Sequence, residues 1–210
     1  MERFARMLNS AFGLSRVFFL TLVGGTLGCG QAEPEVTSNE TDADNLPAVA
    51  SATPQEAIHE FMMAYKVGDE GKAAALLTEK SRQETARTGK SVSPPVSPNM
   101  QFKVGEVNYP PDLKDAAHVA CYISEVGPEG EKIDSDVVWF VRKEPKGWRV
   151  AGIAMKPFPD LEAVLYNFEN QDDMDRKFAL IEAEFERREI EQAKATLMQA
   201  QQPMGNELRK

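Results

Sequence analysis

The hydrophobic positions of this chain recur at helical spacing up to about residue 90 and at every second residue after residue 100. The first helical run follows Thr53-Pro54-Gln55-Glu56, which has the form of a capping box with proline at the first helical position. Its apolar face consists of Ile58, Phe61, Met62 and Tyr65. The pattern therefore predicts a helix that starts after Thr53 and ends at Gly68-Asp69.

Two shorter helices are predicted after the first one. One covers Glu70–Leu77, and Thr78 is expected to cap the next, which runs to about Thr85. The segment Thr88–Asn99 contains three prolines and three serines, which predicts a loop.

Beyond this loop the period of two predicts strands. Their expected bounds are Gln101–Tyr109, Ala116–Val126, Ile133–Arg142 and Trp148–Met155. The third of them is apolar on both faces and is therefore expected at the centre of the sheet. Because the last two connections, Gly127–Gly130 and Glu144–Gly147, are short and turn-like, the strands should form an antiparallel meander.

The C-terminal part is expected to be helical. A helical stretch is predicted from Asp160, followed by a long helix from about Asp172 to Gln201 that Pro203 and Gly205 terminate. Its apolar stripe consists of Met174, Phe178, Ile181 and Phe185. The stripe covers about two heptad-like turns, whereas a coiled coil needs three or four heptads. Packing of this helix against the domain is therefore favoured over self-association or docking of a partner protein. The predicted class is α+β: N-terminal helices on a curved, cone-like, four-stranded antiparallel sheet, with a long C-terminal helix.

Two segments carry a family resemblance. Ala57–Tyr65 is followed by Gly68-Asp69, and Asp136–Val141 continues through a turn into Gly147–Ile153. This order is similar to the nuclear transport factor two-like superfamily, which includes SnoaL-like and lumazine-binding-like domains, over about Thr53–Lys156. The resemblance implies a pocket between the first helix and the concave face of the sheet, and in some members that pocket serves acid–base chemistry.

The resemblance also implies which polar side chains could line such a pocket. They are Tyr65 on the first helix, Tyr122 on the second strand, and either His118 or Cys121, which lie on opposite faces of that strand. No Asp or Glu interrupts the apolar alternation of the central strands, so no catalytic residue is assigned.

The N-terminus has the features of an export signal. Three arginines precede the uncharged run Val17–Gly25, which is shorter than the ~20 residues of a membrane-spanning helix. The next four residues, Thr26-Leu27-Gly28-Cys29, resemble a bacterial lipobox, with Thr26 where Leu is usual. The resemblance implies acylation of the Cys29 thiol (for example with palmitate) and cleavage before it. Two or more acyl chains anchor a protein stably to a membrane. An ordinary secretory signal, giving a soluble secreted protein, is the alternative.

The chain divides accordingly into five parts. Residues 1–28 are a signal peptide, 29–52 an acidic disordered tether, 53–156 the α+β domain, 157–202 a C-terminal helical extension and 203–210 a disordered tail. The tether prediction rests on Gly30–Thr53, which contains five acids, no basic residue and no aromatic residue.

Charge and composition exclude several function classes. The chain has 24 basic and 33 acidic residues, of which three basic residues and one acidic residue lie in 1–28. The mature chain therefore has 21 basic and 32 acidic residues and a net charge of −11. Such a chain repels phosphate backbones, which argues against nucleic acid binding. Two histidines, His59 and His118, and the single remaining thiol of Cys121 make neither a metal site nor a disulfide, and no cofactor is expected.

These observations lead to one expectation and two alternatives. The expectation is a non-catalytic binding or scaffolding module, anchored to a membrane of the bacterial cell envelope and able to take a small apolar ligand. The first alternative is a small isomerase, dehydratase or hydrolase acting on an apolar molecule in the pocket. The second is a structural protein that self-associates through the C-terminal helix.

Overall fold

The computed structural model describes residues 51–89, 98–126 and 130–200. The predicted signal peptide, Cys29, nearly all of the tether and the tail 203–210 lie outside these ranges, as do parts of the predicted loop and of the turn after the second strand. The helices are α1 (Pro54–Val67), α2 (Glu70–Ala75), α3 (Glu79–Thr88) and α4 (Gln171–Ala200). The strands are β1 (Gln101–Asn108), β2 (Ala116–Val126), β3 (Lys132–Glu144), β4 (Gly147–Met155) and β5 (Val164–Asn167).

The predicted capping box of α1 is confirmed. The Glu56 backbone N–H donates to Thr53 Oγ1 at 3.2 Å, and the Thr53 N–H donates to Glu56 Oε2 at 3.2 Å. At the other end, Gly68 adopts a left-handed conformation and its N–H bonds to the last carbonyls of the helix. Residues close in sequence thus form hydrogen bonds with the free backbone groups at both ends of α1, without contributions from the rest of the fold.

The predicted cap of α3 is also confirmed, since Thr78 Oγ1 accepts the Ser81 N–H at 3.2 Å. Helix α2 is shorter than predicted, because Leu77 leaves it to form a parallel bridge with Val150 of β4. The carbonyl of Leu76 accepts the Val150 N–H at 2.8 Å. Tertiary hydrogen bonding to the sheet therefore replaces the last helical turn.

All strands belong to one antiparallel sheet in the order β1-β2-β3-β4-β5, with β3 at its centre as predicted. The α+β class and the long C-terminal helix are confirmed. The strand number is corrected from four to five. The fifth strand lies where a helical stretch was predicted, because Val164–Asn167 pairs with the outer edge of β4 and buries Tyr166. Val164, Leu165 and Tyr166 follow one another without a polar residue between them, so this segment shows no period of two and the pairing was not visible in the sequence.

The core lies on one face of the sheet. Cross-strand neighbours on this face include Val119 and Trp139, Cys121 and Val137, and Trp139 and Ile153. Helix α1 covers them, with Phe61 meeting Trp139 edge to face at 5.3 Å between ring centroids. This face is called the core face, and the opposite side of the sheet is called the open face.

Helix α4 packs against the domain through its apolar stripe. Met174 and Ile181 are buried in the same core as α1 and the sheet. Phe178 stacks on Tyr166 of β5 at 5.1 Å, and Phe185 meets Phe158 at 4.4 Å. The stripe is therefore occupied within the chain, which agrees with the favoured interpretation of the sequence.

The packed part of α4 ends at Arg188. Its guanidinium forms two hydrogen bonds to the Asp160 carboxylate, at 2.9 and 2.7 Å, and lies 4.0 Å from the centre of the Phe158 ring. The following residues up to 199 are exposed, apart from Glu189.

We expect Arg188→Ala to increase amide hydrogen exchange several-fold in residues 185–200, because the last lateral contact of the helix is lost. Hydrogen exchange followed by mass spectrometry measures this. Arg176→Ala is the matched control, since Arg176 pairs within its own helix, with Asp173 at 3.5 Å. Equal exchange in both variants would show that the Arg188 contacts do not hold the helix.

Candidate functional site

The interior between α1 and the core face is the candidate binding site. Trp139, Ile153 and Tyr166 form one cross-strand row on this face, on β3, β4 and β5. Two strand spacings of ~4.8 Å separate the Cα atoms of Trp139 and Tyr166 by about 10 Å. Both side chains therefore rise into the same layer, under the helices.

Each of these two aromatic residues carries a buried polar atom. Trp139 is 4% exposed and Tyr166 0% exposed. Tyr166 Oη forms no hydrogen bond with a described residue, and Trp139 Nε1 interacts only weakly, with the Cys121 thiol. A buried polar atom without a partner costs about 1–3 kcal/mol. Such groups are rare in folded proteins and call for an explanation, of which a bound molecule is one.

Tyr65 is the predicted lining residue that lies on the helical side of this interior. It is half-buried and packs against the core. Burial raises the pKa of its hydroxyl, and the negative charge of Glu125 raises it further. The phenol is therefore protonated at neutral pH and can donate a hydrogen bond.

His118 and Tyr122, the other two predicted lining residues, lie on the open face. The His118 ring contacts Phe140 at 4.4 Å. Tyr122 is 37% exposed, and its hydroxyl accepts a hydrogen bond from Lys132 at 3.5 Å. Both alternate with the core residues of β2, so the sheet separates them from Tyr65. The period of two along β2 predicted that His118 and Tyr122 lie on the same face of the sheet. It did not predict which of the two faces the helices cover.

The structure places Cys121, rather than His118, on the core face. Its thiol is buried, and burial raises its pKa to about 11, although the Trp139 side chain and the Lys103 backbone act in the opposite direction. Because the folded state favours the thiol over the thiolate, this group lowers the stability as the pH rises from 9 to 11.

We expect Cys121 to react with iodoacetamide about a hundredfold more slowly at pH 8 than a free thiol, since only the thiolate is nucleophilic. Mass spectrometry of the peptide that contains it gives the rate. Ala120→Cys supplies an exposed thiol one position away as the positive control. Similar rates for Cys121 and for the introduced thiol would contradict the burial of Cys121.

Carboxylates and histidines of the described residues lie at the margin of this interior or outside it, with Glu125 half-buried near Tyr65 at the end of β2. Among the described residues, Glu169 is the carboxylate that is buried below a tenth of its surface, and it pairs with Arg142 Nε at 3.1 Å. His59 lies on the outer part of α1 against Phe102, with its side chain 57% exposed. Within the same residues no group of three His, Cys, Asp or Glu side chains is arranged to hold a metal ion, and no helix is long and apolar enough to cross a membrane.

Trp139 and Tyr166 were not singled out as site residues by the sequence. Trp139 stands inside an apolar alternation and was interpreted as core, and Tyr166 fell in a stretch predicted to be helical. The sequence did offer one signal for Trp139. A tryptophan at a buried strand position carries an indole N–H that needs a hydrogen-bond partner, which can indicate a binding site.

A scan against protein-family models finds no match to this chain, and a search of curated proteins finds no significant relative.

Proposed function

We propose that the mature protein is a lipid-anchored binding module of the bacterial cell envelope, which holds a small, uncharged, mainly apolar molecule between α1 and the core face. The observation that carries this proposal is the buried Tyr166 Oη, which has no hydrogen-bond partner among the described residues and lies in one row with Trp139, whose indole N–H has only the weakly accepting Cys121 thiol beside it in the described structure. The order of helices and antiparallel strands is also consistent with a nuclear transport factor two-like cone, the architecture that we propose for the domain.

The chemistry of the interior limits the ligand. The indole N–H can only donate a hydrogen bond, and the phenol donates readily. Apolar side chains such as Phe61 and Ile153 surround them, and a charged ligand would lose its hydration without a counter-charge. A carbonyl or ether oxygen on an apolar skeleton satisfies these conditions.

Binding is favoured over catalysis for the same reason. The titratable groups buried in this interior are Tyr65, Cys121 and Tyr166, and burial raises the pKa of each. Glu125, whose charge acts on Tyr65, is half-buried near the end of β2 rather than enclosed in the apolar interior. Phenols and thiols with raised pKa values are protonated at neutral pH, which makes them poor general bases.

The ligand proposal is tested with 2-acetylnaphthalene, a neutral ketone that accepts energy from tryptophan. Trp148→Phe leaves Trp139 as the only tryptophan of the full chain. We expect saturable quenching of its fluorescence, with affinity about tenfold weaker in Trp148→Phe/Tyr166→Phe, since one hydrogen bond is lost. Trp148→Phe/Tyr122→Phe alters a phenol on the open face and should bind unchanged. Quenching that does not saturate, or that is equal in all three variants, would refute an interior site.

Anchoring is tested separately through Cys29. We expect Cys29→Ser to abolish both the processing of the precursor and its acylation, because the thioether to the lipid forms at sulfur. Electrophoresis of membrane fractions after labelling with a radioactive fatty acid measures both. A Cys29→Ser chain that is still processed and still sediments with membranes would contradict lipid anchoring and leave the ligand experiment unaffected.

A further inference from the structure

Two exposed apolar side chains lie at the end of the sheet where the chain enters the domain. Tyr109 and Leu113, in the loop between β1 and β2, are 56% and 50% exposed. The Tyr109 ring meets Trp148 of β4 edge to face, with 6.3 Å between the ring centroids. The Trp148 N–H in turn donates to the Ser51 carbonyl at 3.0 Å. The exposed pair therefore lies beside the point at which the predicted tether joins the domain.

The antiparallel pairing brings three segments together at this end of the sheet, which we call the tether end. It consists of Ser51, the loop Tyr109–Asp115 and the turn Lys143–Gly147. The Lys143 N–H donates to the Asp115 carbonyl at 2.8 Å, which joins the turn to the loop. Val126, at the other end of β2, lies about 33 Å from Ala116 along the strand. The two ends of the sheet are thus well separated.

The tether end has balanced charges, whereas the mature chain is strongly acidic. Its charged residues are Asp112, Lys114, Asp115, Lys143, Glu144 and Lys146. The three lysines are exposed and form no ion pair with a described residue. Glu144 accepts the Glu79 N–H of α3 at 2.8 Å and so points back to the domain. An anionic surface therefore repels this end less than it repels the chain as a whole.

We propose that the tether end rests on the bilayer that holds the anchor, with Tyr109 and Leu113 at the level of the lipid headgroups and the lysines beside anionic phosphates. This inference rests on the lipid anchoring proposed above. Tyrosine is enriched at membrane–water interfaces, because its ring is apolar and its hydroxyl is polar. The aliphatic part of a lysine side chain can lie along apolar surface while its ammonium group reaches a phosphate.

The position of the tether selects this end of the domain. The chain from Cys29 to Ser51 has 22 peptide units (51 − 29), which span at most about 75 Å. Contact through the opposite end would require the tether to run along the domain as well, which leaves it fewer conformations. Contact through the tether end imposes no such restriction. Attachment to the same membrane also raises the effective concentration of the patch, so a weak interaction is sufficient.

The size of the patch favours a lipid surface over a protein partner. Its exposed apolar residues in the loop are Tyr109, Pro111 and Leu113. Three side chains provide much less than the area of about 800 Å² per partner that a stable protein interface buries. A bilayer needs no complementary shape, and a few interfacial side chains suffice to orient a protein that is already anchored.

The test uses the mature chain 29–210 without acylation, joined through the Cys29 thiol to a maleimide lipid in vesicles. Cys121 is buried and does not compete for the maleimide. The vesicles contain phosphatidylethanolamine and phosphatidylglycerol in a ratio of three to one. They are prepared with and without phospholipids brominated near the headgroup end of the acyl chains, which quench tryptophan on contact. Because the linkage is chemical, the result does not depend on whether the cell acylates Cys29.

A tryptophan introduced into the loop reports contact with the lipid. Leu113→Trp is the reporter, and Val126→Trp is its matched control, since Val126 is 58% exposed at the opposite end of the sheet. The unchanged chain gives the contribution of Trp139 and Trp148. After this contribution is subtracted, we expect the brominated lipid to quench Leu113→Trp at least about twofold more than Val126→Trp, because the loop reaches the interface.

Charge reversals test the contact with the headgroups. Leu113→Trp combined with Lys143→Glu and Lys146→Glu should be quenched about as little as the control reporter, because four units of charge at the tether end then oppose the anionic lipid. The same reversals at Lys103 and Lys156, which are exposed toward the opposite end, are the matched control. They change the net charge equally and should leave the quenching unchanged. Circular dichroism of each variant shows whether it is folded.

Three results would overturn the proposal. The first is equal quenching of the two reporters, and the second is equal loss of quenching with the two pairs of charge reversals. The third is a concentration-dependent blue shift of the Leu113→Trp emission in the absence of vesicles, which would assign the patch to a second copy of the chain. Tyr109→Trp carries the same measurements if Leu113→Trp is unstable.

Discussion

Replacing Gly147 with alanine is expected to lower the free energy of unfolding by about 3 kcal/mol or more, the largest effect of a single methyl group in the described structure. Gly147 has a φ of +108°, a conformation that strains any residue with a Cβ atom. A Cβ atom built there would lie 2.5 Å from the Ser51 carbonyl oxygen and 3.0 Å from the Ser51 nitrogen. Both contacts are with backbone, so a side-chain rotation cannot relieve them.

The same contact joins the start of the domain to the sheet. The Trp148 N–H donates to the Ser51 carbonyl at 3.0 Å, so displacement of Ser51 also breaks a hydrogen bond of β4. Chemical denaturation measures the change. Gly89→Ala is the matched control, since Gly89 also has a positive φ, of +64°, but has open space at its Cβ position. It should cost only about 1 kcal/mol. Equal effects of the two variants would mean that the close approach of Ser51 contributes nothing.

Phe61→Ala is expected to lower the free energy of unfolding by about 3–5 kcal/mol, the range for removing a buried aromatic side chain. Phe61 is 2% exposed and lies between α1 and the sheet, where its edge-to-face contact with Trp139 ends if the ring is removed. The cavity that remains would adjoin the proposed ligand site, so binding of 2-acetylnaphthalene should change as well.

Met63→Ala controls for a change of size on the same helix. Met63 is 40% exposed on the outer side of α1, and surface substitutions of this kind usually change stability by less than about 0.5 kcal/mol. Chemical denaturation gives the free energy of unfolding of the two variants, provided that the dependence on denaturant concentration has the same slope in both. The difference between them separates the effect of the cavity from that of helix propensity. A loss below about 1 kcal/mol for Phe61→Ala would show that α1 does not close the core at this point.

The candidate site was only partly predictable from the sequence. The alternation along β2 and β3 identified which residues share a face of the sheet. The helical spacing of Ile58, Phe61, Met62 and Tyr65 placed Tyr65 on the apolar side of α1. It did not identify the covered face, because β3 is apolar on both. Burial then separated Cys121 from His118 and brought Trp139 and Tyr166 into one row, from strands that are not consecutive in the chain.

The sequence by itself determined the elements whose signals are local. The capping box at Thr53 and Glu56, the cap at Thr78 and the period of two after residue 100 each act within a few residues, so they fixed α1, the start of α3 and the first four strands. Only the tertiary structure decided the features that depend on distant residues. Strand β5 exists because the edge of β4 offers hydrogen bonds, α2 ends early because Leu77 bridges to Val150, and the face covered by the helices follows from packing. Local propensity cannot encode these contacts, because their partners meet only when the sheet has formed.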